Sequence, residues 1–269
     1  MTLRPLQPLL GPLPEPLSTA FRQIHDAWQR HAEPLQGELV RAVEAQHRVG
    51  TRRLVDSDAE QQLLEDLLER AKPPLPPDTE HLHFLLATPF RYPPLRNGSR
   101  FGTRWERGIF YAALHPHTSL AEVSYYRLVF LEGTSGDLEP ITADFTLFRI
   151  RLEASKGLDL AGDRFAAFRE LLASPTDYAF SQHVGHALRE DGIEAIYYPS
   201  ARDPFGRRAA AIFSPLAFGS RKPSGFERWH SFATRAGVEW RKMDFLEEER
   251  LRFPRITFEV DGRLPAPAL

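Results

Sequence analysis

The sequence predicts an α+β fold, in which a small mixed or antiparallel β-sheet core is flanked by helices and preceded by a helical N-terminal extension. Two observations predict this class. After residue 80, short runs rich in β-branched and aromatic residues alternate with segments of helical period, but not in the strict order of βαβ units. Before residue 80, the periodic segments all have helical spacing, and they end at a cluster of prolines.

The first 78 residues are predicted to be a proline-rich leader followed by helices. Prolines at positions 5, 8, 12, 14 and 16 favour extended backbone, so no helix is expected before Leu17. Apolar residues at three- and four-residue steps between Leu17 and Val49 predict two amphipathic helices, separated at Pro34. A further helix is predicted over Asp58–Lys72, and the prolines that follow it predict a domain boundary.

Residues 79–220 are predicted to form the catalytic core, and residues 221–269 a C-terminal extension that packs on it. Five runs have strand character, namely His83–Ala87, Gly108–Leu114, Ile141–Leu152, Ile193–Tyr198 and Ala209–Phe213. Three segments between them have helical spacing, namely Ser119–Leu131, Arg164–Leu172 and Tyr178–Arg189. In the tail, Ile256–Val260 predicts one more strand.

Composition and charge exclude several functional classes. Hydrophobic residues make up 42% and charged residues 26% of the 269, which is typical of a soluble folded protein. The net charge of −2 gives no global field that would attract nucleic acid or an anionic membrane. The absence of cysteine excludes disulfides, thiolate metal sites and a cysteine nucleophile. No apolar run is long enough to span a bilayer and no signal peptide is evident, so a cytoplasmic location is expected.

No metal site is predicted. The ten histidines include the close pair His183 and His186, which could share one helical face. No carboxylate is spaced to complete a ligand set with them, so paired surface or capping histidines are the favoured interpretation.

Arginines and aromatic rings are concentrated between Phe90 and Arg127. Arginines at positions 91, 96, 100, 104 and 107 are interleaved with four aromatic residues. Guanidinium groups match phosphate oxygens in bidentate geometry and ring faces stack on a base or a pyridine, so the segment suits a ligand that is both phosphorylated and aromatic. Two alternatives stay open from composition: a solvated loop whose aromatic residues are core, and an RNA-binding segment, which the balanced net charge disfavours.

Glu122 is the carboxylate that follows these rings. Together with Ser119 it fits a capping box, in which the glutamate satisfies an amide in the first turn of a helix. A carboxylate in that place is held rigidly and is favoured by the helix dipole, so it also suits the stabilisation of a cationic transition state. Tyr111 lies at the end of a predicted strand eleven residues earlier, and Ser200 is by default a turn residue.

In their order and spacing these motifs resemble the RES-domain family, which is named for an arginine, a glutamate and a serine. Its characterised members are bacterial toxins that break down NAD. The resemblance covers about residues 82–213 and is carried by Phe90-Arg91-Tyr92, Gly98-Ser99-Arg100-Phe101-Gly102, Phe110-Tyr111-Ala112-Ala113, Leu120-Ala121-Glu122-Val123 and Pro199-Ser200. Phe101 and Gly102 depart from the family, which usually has Trp and Asn at these positions.

The resemblance implies a fold like that of ADP-ribosyltransferases and cleavage of the nicotinamide–ribose bond of NAD, with phosphate as co-substrate. In this scheme Glu122 offsets the charge of an oxocarbenium-like ribose, and Arg91 and Arg100 bind phosphate groups. Tyr111 stacks on nicotinamide or ribose, and Ser200 donates a hydrogen bond to a phosphate or a hydroxyl. All five side chains should then converge on one cleft.

The resemblance also implies a partner, a helix-turn-helix antitoxin that holds the chain silent as a toxin. Neither membrane binding nor direct nucleic-acid binding is expected, and a homodimer is left open. Two alternative functions remain at this point. One is transfer of ADP-ribose to a protein, which would use the same NAD pocket. The other is a non-catalytic domain that binds RNA or a protein and in which Glu122 is only a helix cap.

Overall fold

The computed structural model describes residues 10–45, 55–94, 96–136, 140–244 and 248–267. The strands in these ranges are β1 (Glu33–Glu44), β2 (Phe110–Ala113), β3 (Ile141–Asp159), β4 (Ala195–Pro199), β5 (Arg208–Ile212), β6 (Ser224–Thr234), β7 (Gly237–Lys242) and β8 (Arg250–Pro254). The helices are α1 (Leu17–Trp28), α2 (Asp58–Ala71), α3 (Phe84–Arg91), α4 (Pro116–Glu132), α5 (Arg169–Leu172) and α6 (Ala179–Glu190). None of the helices described is both long and apolar enough to cross a membrane.

The eight strands form one mixed sheet in the order β1-β2-β5-β4-β3-β6-β7-β8. Every pairing is antiparallel except that of β3 with β4. Because β1 also pairs with β3, the strands β1, β2, β5, β4 and β3 close into a ring. The prediction of an α+β fold with a mixed sheet and flanking helices is confirmed, whereas the likeness to ADP-ribosyltransferases stays a prediction.

The second of the two helices predicted between Leu17 and Val49 is wrong, because β1 occupies its place. The three- and four-residue spacing of apolar residues there is typical of a helix, but Gly37 and the β-branched Val40 and Val43 favour helix weakly. Pairing along the length of β3, with Val40 opposite Arg149, overrides this local preference. Residues 46–49 of that prediction lie outside the described residues.

Two predicted strands are also wrong. His83–Ala87 belongs to α3, where the imidazole Nδ1 of His83 caps the helix by accepting from the N–H of Leu85 at 3.3 Å. Ile256–Val260 is replaced by a short 3₁₀ turn, and the tail contributes β6, β7 and β8 instead. The division at residues 78 and 220 stays a prediction, although strands from all three segments pair in the same sheet.

Helix α4 is anchored firmly, which matters because it bears Glu122. Its buried residues Leu120 and Leu128 pack in one apolar cluster with Trp229 and Trp240 of the β6–β7 hairpin. The indole Nε1 of Trp240 donates to the hydroxyl of Ser124 at 2.8 Å, so the polar atom of this buried ring is satisfied. The helix is therefore a rigid platform for side chains on its opposite face.

Helix α6 approaches the loop that carries Arg100 so closely that only glycine fits between them. A Cβ atom on Gly185 would lie 2.0 Å from the carbonyl oxygen of Phe101. We therefore expect Gly185→Ala to lower the free energy of unfolding by about 1–3 kcal/mol, the usual cost of overpacking, as measured by urea denaturation. Gly133→Ala is the matched control, because its Cβ would meet nothing closer than 3.6 Å. Equal stability of the two variants would contradict this packing.

Candidate active site

A cavity of about 270 Å³ opens between β1, β2, α4 and the loop before β2. Its walls carry two guanidinium groups, one carboxylate and several aromatic rings, contributed by Arg41, Arg100, Glu122, Tyr111, Tyr126 and Tyr178. Strand β2 pairs with both β1 and β5, so the ends of three strands and the start of α4 meet at this point. The sheet therefore gathers side chains that are far apart in sequence.

Glu122 points its carboxylate at Ser200. The hydroxyl of Ser200 donates to Oε1 of Glu122 at 2.5 Å, which joins the second turn of α4 to the turn after β4. The same hydroxyl accepts from the backbone N–H groups of Arg202 at 3.2 Å and Asp203 at 3.1 Å. These bonds use the hydroxyl fully and hold the carboxylate in one orientation.

The capping box predicted at Ser119 and Glu122 is wrong. Helix α4 begins three residues earlier, at Pro116, and its N-cap is His115. Ser119 instead accepts from the N–H of Ala42 in β1 at 2.9 Å, which ties the helix to the sheet. Glu122 is therefore free of any capping task, and its contact with Ser200 is what holds it.

Tyr111 is held by the loop that precedes β2. Its hydroxyl accepts from the N–H of Phe101 at 3.0 Å and shares a hydrogen bond of 2.9 Å with the hydroxyl of Ser99. Burial raises the pKa of Tyr111 to about 12, so it is a neutral phenol at physiological pH. It is suited to form a wall and to donate a hydrogen bond, and is unsuited to act as a base.

Arg100 lines the cavity from the same loop. Its guanidinium carbon lies 4.6 Å from the centre of the Tyr178 ring. Nη1 donates to the carbonyl oxygens of Leu172 at 3.1 Å and Ser174 at 2.9 Å. Backbone carbonyls hold the group in place without neutralising it, so its positive charge remains available to a ligand.

Arg41, in β1, lines the cavity and was not among the predicted site residues, and the same holds for Tyr126 and Tyr178. Nη1 of Arg41 donates to the carbonyl oxygen of Tyr111 at 2.6 Å, while its Nε is buried and has no partner. Burial lowers the pKa of Arg41 to about 10, which still leaves it charged at neutral pH. A lone charge within the apolar run from Leu39 to Val43 could have identified it, had that run been interpreted as a strand.

Arg91 does not reach the cavity. It is the last residue of α3, and its guanidinium forms an ion pair of 2.8 Å with Glu69 of α2 and donates to the carbonyl oxygen of Pro73. The expectation that Arg91 converges with the other four residues is therefore wrong. Its contacts tie α2 to α3, and a guanidinium beside that of Arg100 in the cavity comes from Arg41.

The charges of the cavity favour an anionic ligand. Arg41 and Arg100 both line it, and within the described ranges neither forms an ion pair with an acidic side chain. Glu122 is the one carboxylate among the lining residues. Guanidinium groups without acidic partners suit phosphate oxygens, and a carboxylate opposite them suits a centre that becomes positive.

The paired histidines have local partners. His183 contacts the carbonyl oxygens of Ala179 and Gly11, each at 2.8 Å, and His186 lies 3.1 Å from Glu106. Over the residues that the structure describes, no cluster of three or more His, Asp and Glu side chains could hold a metal ion.

Comparison with known proteins identifies a matching protein family. A family model described as the RES domain matches residues 68–232, more than half of the chain. No curated protein matches. Among solved structures, the crystal structure of the M. tuberculosis MbcT–MbcA toxin–antitoxin complex is similar to this chain, with 14% identity, a TM-score of 0.44 and coverage of 83% of this chain and 94% of that chain.

Proposed function

This chain belongs to the RES-domain family, and we propose that it cleaves the nicotinamide–ribose bond of NAD. Characterised members of the family are toxins that break down NAD. The observation that supports the same activity here is the pairing of two guanidinium groups that lack acidic partners with one carboxylate in a single cavity. Arg41 lies outside the matched residues 68–232, so its place in the cavity comes from the fold alone.

We assign the cavity to the nicotinamide riboside half of the dinucleotide. Its volume of about 270 Å³ is just below the roughly 300–1,000 Å³ usual for pockets that enclose a drug-sized ligand. The rings of Tyr111, Tyr126 and Tyr178 offer faces for the pyridinium, which is a planar cation. Arg41 and Arg100 then bind phosphate oxygens, and the adenosine half lies toward the opening.

The chemistry needs charge stabilisation more than proton transfer. When the bond from the ribose C1 to the pyridinium nitrogen breaks, its electron pair stays with nitrogen and releases neutral nicotinamide, so no general acid is required. Positive charge develops on the ribose as an oxocarbenium-like species. The carboxylate of Glu122 offsets that charge. The hydrogen bond from Ser200 holds this carboxylate in its orientation before the reaction begins.

We propose phosphate as the acceptor. One of its oxygens forms the new bond to C1 of the ribose, which yields ADP-ribose 1″-phosphate and nicotinamide. A second anion beside the pyrophosphate requires more than one cation, and the two guanidinium groups of the cavity meet that need. Water or a protein side chain as acceptor would use the same cavity and the same departing group.

Product analysis tests this function. Purified chain is incubated with NAD, with and without phosphate, and ³¹P and ¹H NMR spectra are recorded. A sugar phosphate that forms together with nicotinamide only when phosphate is present is the expected result. ADP-ribose in both samples would identify a hydrolase, and label transferred to protein would identify an ADP-ribosyltransferase. NAD that remains intact in every sample would refute the proposed function.

We also propose that the chain is a toxin silenced by a helix-turn-helix antitoxin, as the family resemblance implies. Loss of NAD would stop growth of the host cell, so an uninhibited copy would be harmful to it. Induced expression in bacteria, with cellular NAD and growth followed together, is the direct test. Growth arrest without a fall in NAD would argue for a different toxic activity.

A further inference from the structure

We infer that Asp203 is a positioning residue for Glu122, an inference that rests on the proposed function. Asp203 lies in the turn between β4 and β5, and its side chain has no exposed surface. Its carboxylate accepts a hydrogen bond from the hydroxyl of Thr118, in the first turn of α4, and another from the N–H of Phe205 at 2.8 Å. The carboxylate thus connects the turn to the helix that bears Glu122.

The turn forms side-chain hydrogen bonds to α4 at two points on one face, and Arg202 of the turn also lies over the ring of Tyr125 in the same helix. Thr118 and Glu122 are four residues apart, so their side chains project from the same side of the helix. Thr118 binds Asp203, and Glu122 binds Ser200. Two contacts spaced by one helical turn fix both the position of the turn and its tilt. With the hydrogen bond from Thr118 to Asp203 removed, the turn can pivot about the Arg202–Tyr125 contact and carry Ser200 away from the carboxylate.

Asp203 also contributes to the direction of the Ser200 proton. A serine hydroxyl has one proton and accepts at most two hydrogen bonds. Here the N–H groups of Arg202 and Asp203 occupy the accepting side, so the proton points to Oε1 of Glu122. The other oxygen, Oε2, is left for the ribose. The orientation of this carboxylate therefore depends on the conformation of the turn.

The burial of Asp203 indicates a task beyond holding the loop. An enclosed carboxylate carries a large desolvation cost and is kept only with well-placed donors. The carboxylate also accepts a long hydrogen bond of 3.5 Å at Oδ2 from Nη1 of Arg207, and the same oxygen lies 3.6 Å from Nδ1 of His117. A hydrophobic side chain could fill the same space without the desolvation cost, but it could not form a directed hydrogen bond with Thr118.

Thr118→Val is the sharpest test, because valine keeps the shape of threonine and removes only the hydroxyl. We expect kcat for NAD to fall about tenfold with KM little changed, the pattern of an interaction that acts on the transition state. Asp203→Ala, which removes every acceptor of the side chain, should act in the same direction. The double variant should show no further loss, because both changes break the same contact. Thr118→Ser retains the hydroxyl and should restore the wild-type rate.

Asp159→Asn is the matched control. Asp159 pairs with Arg208 at the start of β5, so the change removes an acidic partner close to the same turn without touching α4. Its kcat should equal that of the wild type. If Thr118→Val and Asp203→Ala lower the melting temperature but leave kcat unchanged, Asp203 only stabilises the turn and the inference fails.

A crystal structure of Thr118→Val separates this inference from the proposed function. The distance from the Ser200 hydroxyl to Oε1 of Glu122 should lengthen from 2.5 Å to beyond hydrogen-bonding range. This readout does not depend on turnover. Should the wild-type chain leave NAD intact, the proposed function fails, while the crystallographic distance still decides whether Asp203 positions Glu122. A distance that is unchanged in the variant would overturn the inference.

Discussion

Glu122→Gln is expected to lower the rate of NAD consumption at least about a hundredfold while the protein stays folded. Removing one group that stabilises charge in a transition state typically costs 10²–10³ in kcat. The amide oxygen of glutamine can still accept from the hydroxyl of Ser200, so the contact between α4 and the turn survives. Only the negative charge is lost, and with it the group that offsets the oxocarbenium-like ribose.

The measurement is the initial rate of nicotinamide release, paired with a calorimetric melting temperature. Glu132→Gln is the matched control, since Glu132 lies at the end of the same helix and pairs with Arg255 at the surface. That variant should keep full activity. A Glu122→Gln protein that consumes NAD at the wild-type rate would show that Glu122 has no part in the mechanism, although among the described residues it is the one carboxylate that lines the cavity.

The sequence was most informative where local pattern and tertiary structure agree. The strand that contains Tyr111 and the helix that contains Glu122 both form as predicted, because each depends on a local pattern. Arg100 and Ser200 followed from loop motifs beside them. The cap at Ser119 was wrong by one turn, since Pro116 starts the helix and the serine is used by β1.

The contribution of β1 could not be inferred from local pattern. Its apolar residues have helical spacing, and what makes it a strand is pairing with β3, whose partner residues lie more than a hundred positions later. Missing the strand meant missing Arg41, the one cavity arginine that comes from outside the Phe90–Arg127 segment. The triplet Phe90-Arg91-Tyr92 resembles a family motif and therefore predicts a site role for Arg91, whereas in the fold Arg91 joins two helices.

Arg41 and Arg91 can therefore be compared directly by substituting each one and measuring the KM for NAD. Arg41→Met is expected to raise KM for NAD about ten- to a hundredfold, because a hydrogen bond to a charged group contributes about 1.5–3 kcal/mol. Arg91→Met should leave KM unchanged, since its ion pair with Glu69 lies away from the cavity. Initial-rate kinetics over a range of NAD concentrations, with binding by calorimetry, measure both effects.

Arg41→Met is expected to weaken NAD binding without lowering the melting temperature. This combination separates a role in binding from a role in stability. The Nε of Arg41 is buried without a partner, and no acidic side chain in the described ranges pairs with its charge. The hydrogen bond to Tyr111 and the contact with the Phe110 ring therefore offset only part of its desolvation cost. Methionine fills a similar volume without that cost, so the melting temperature of Arg41→Met should equal or exceed that of the wild type. A group kept at a cost to stability is one that a ligand requires. If Arg41→Met instead melts earlier and binds NAD normally, Arg41 belongs to the framework of the sheet and the cavity must bind its anion through Arg100 alone.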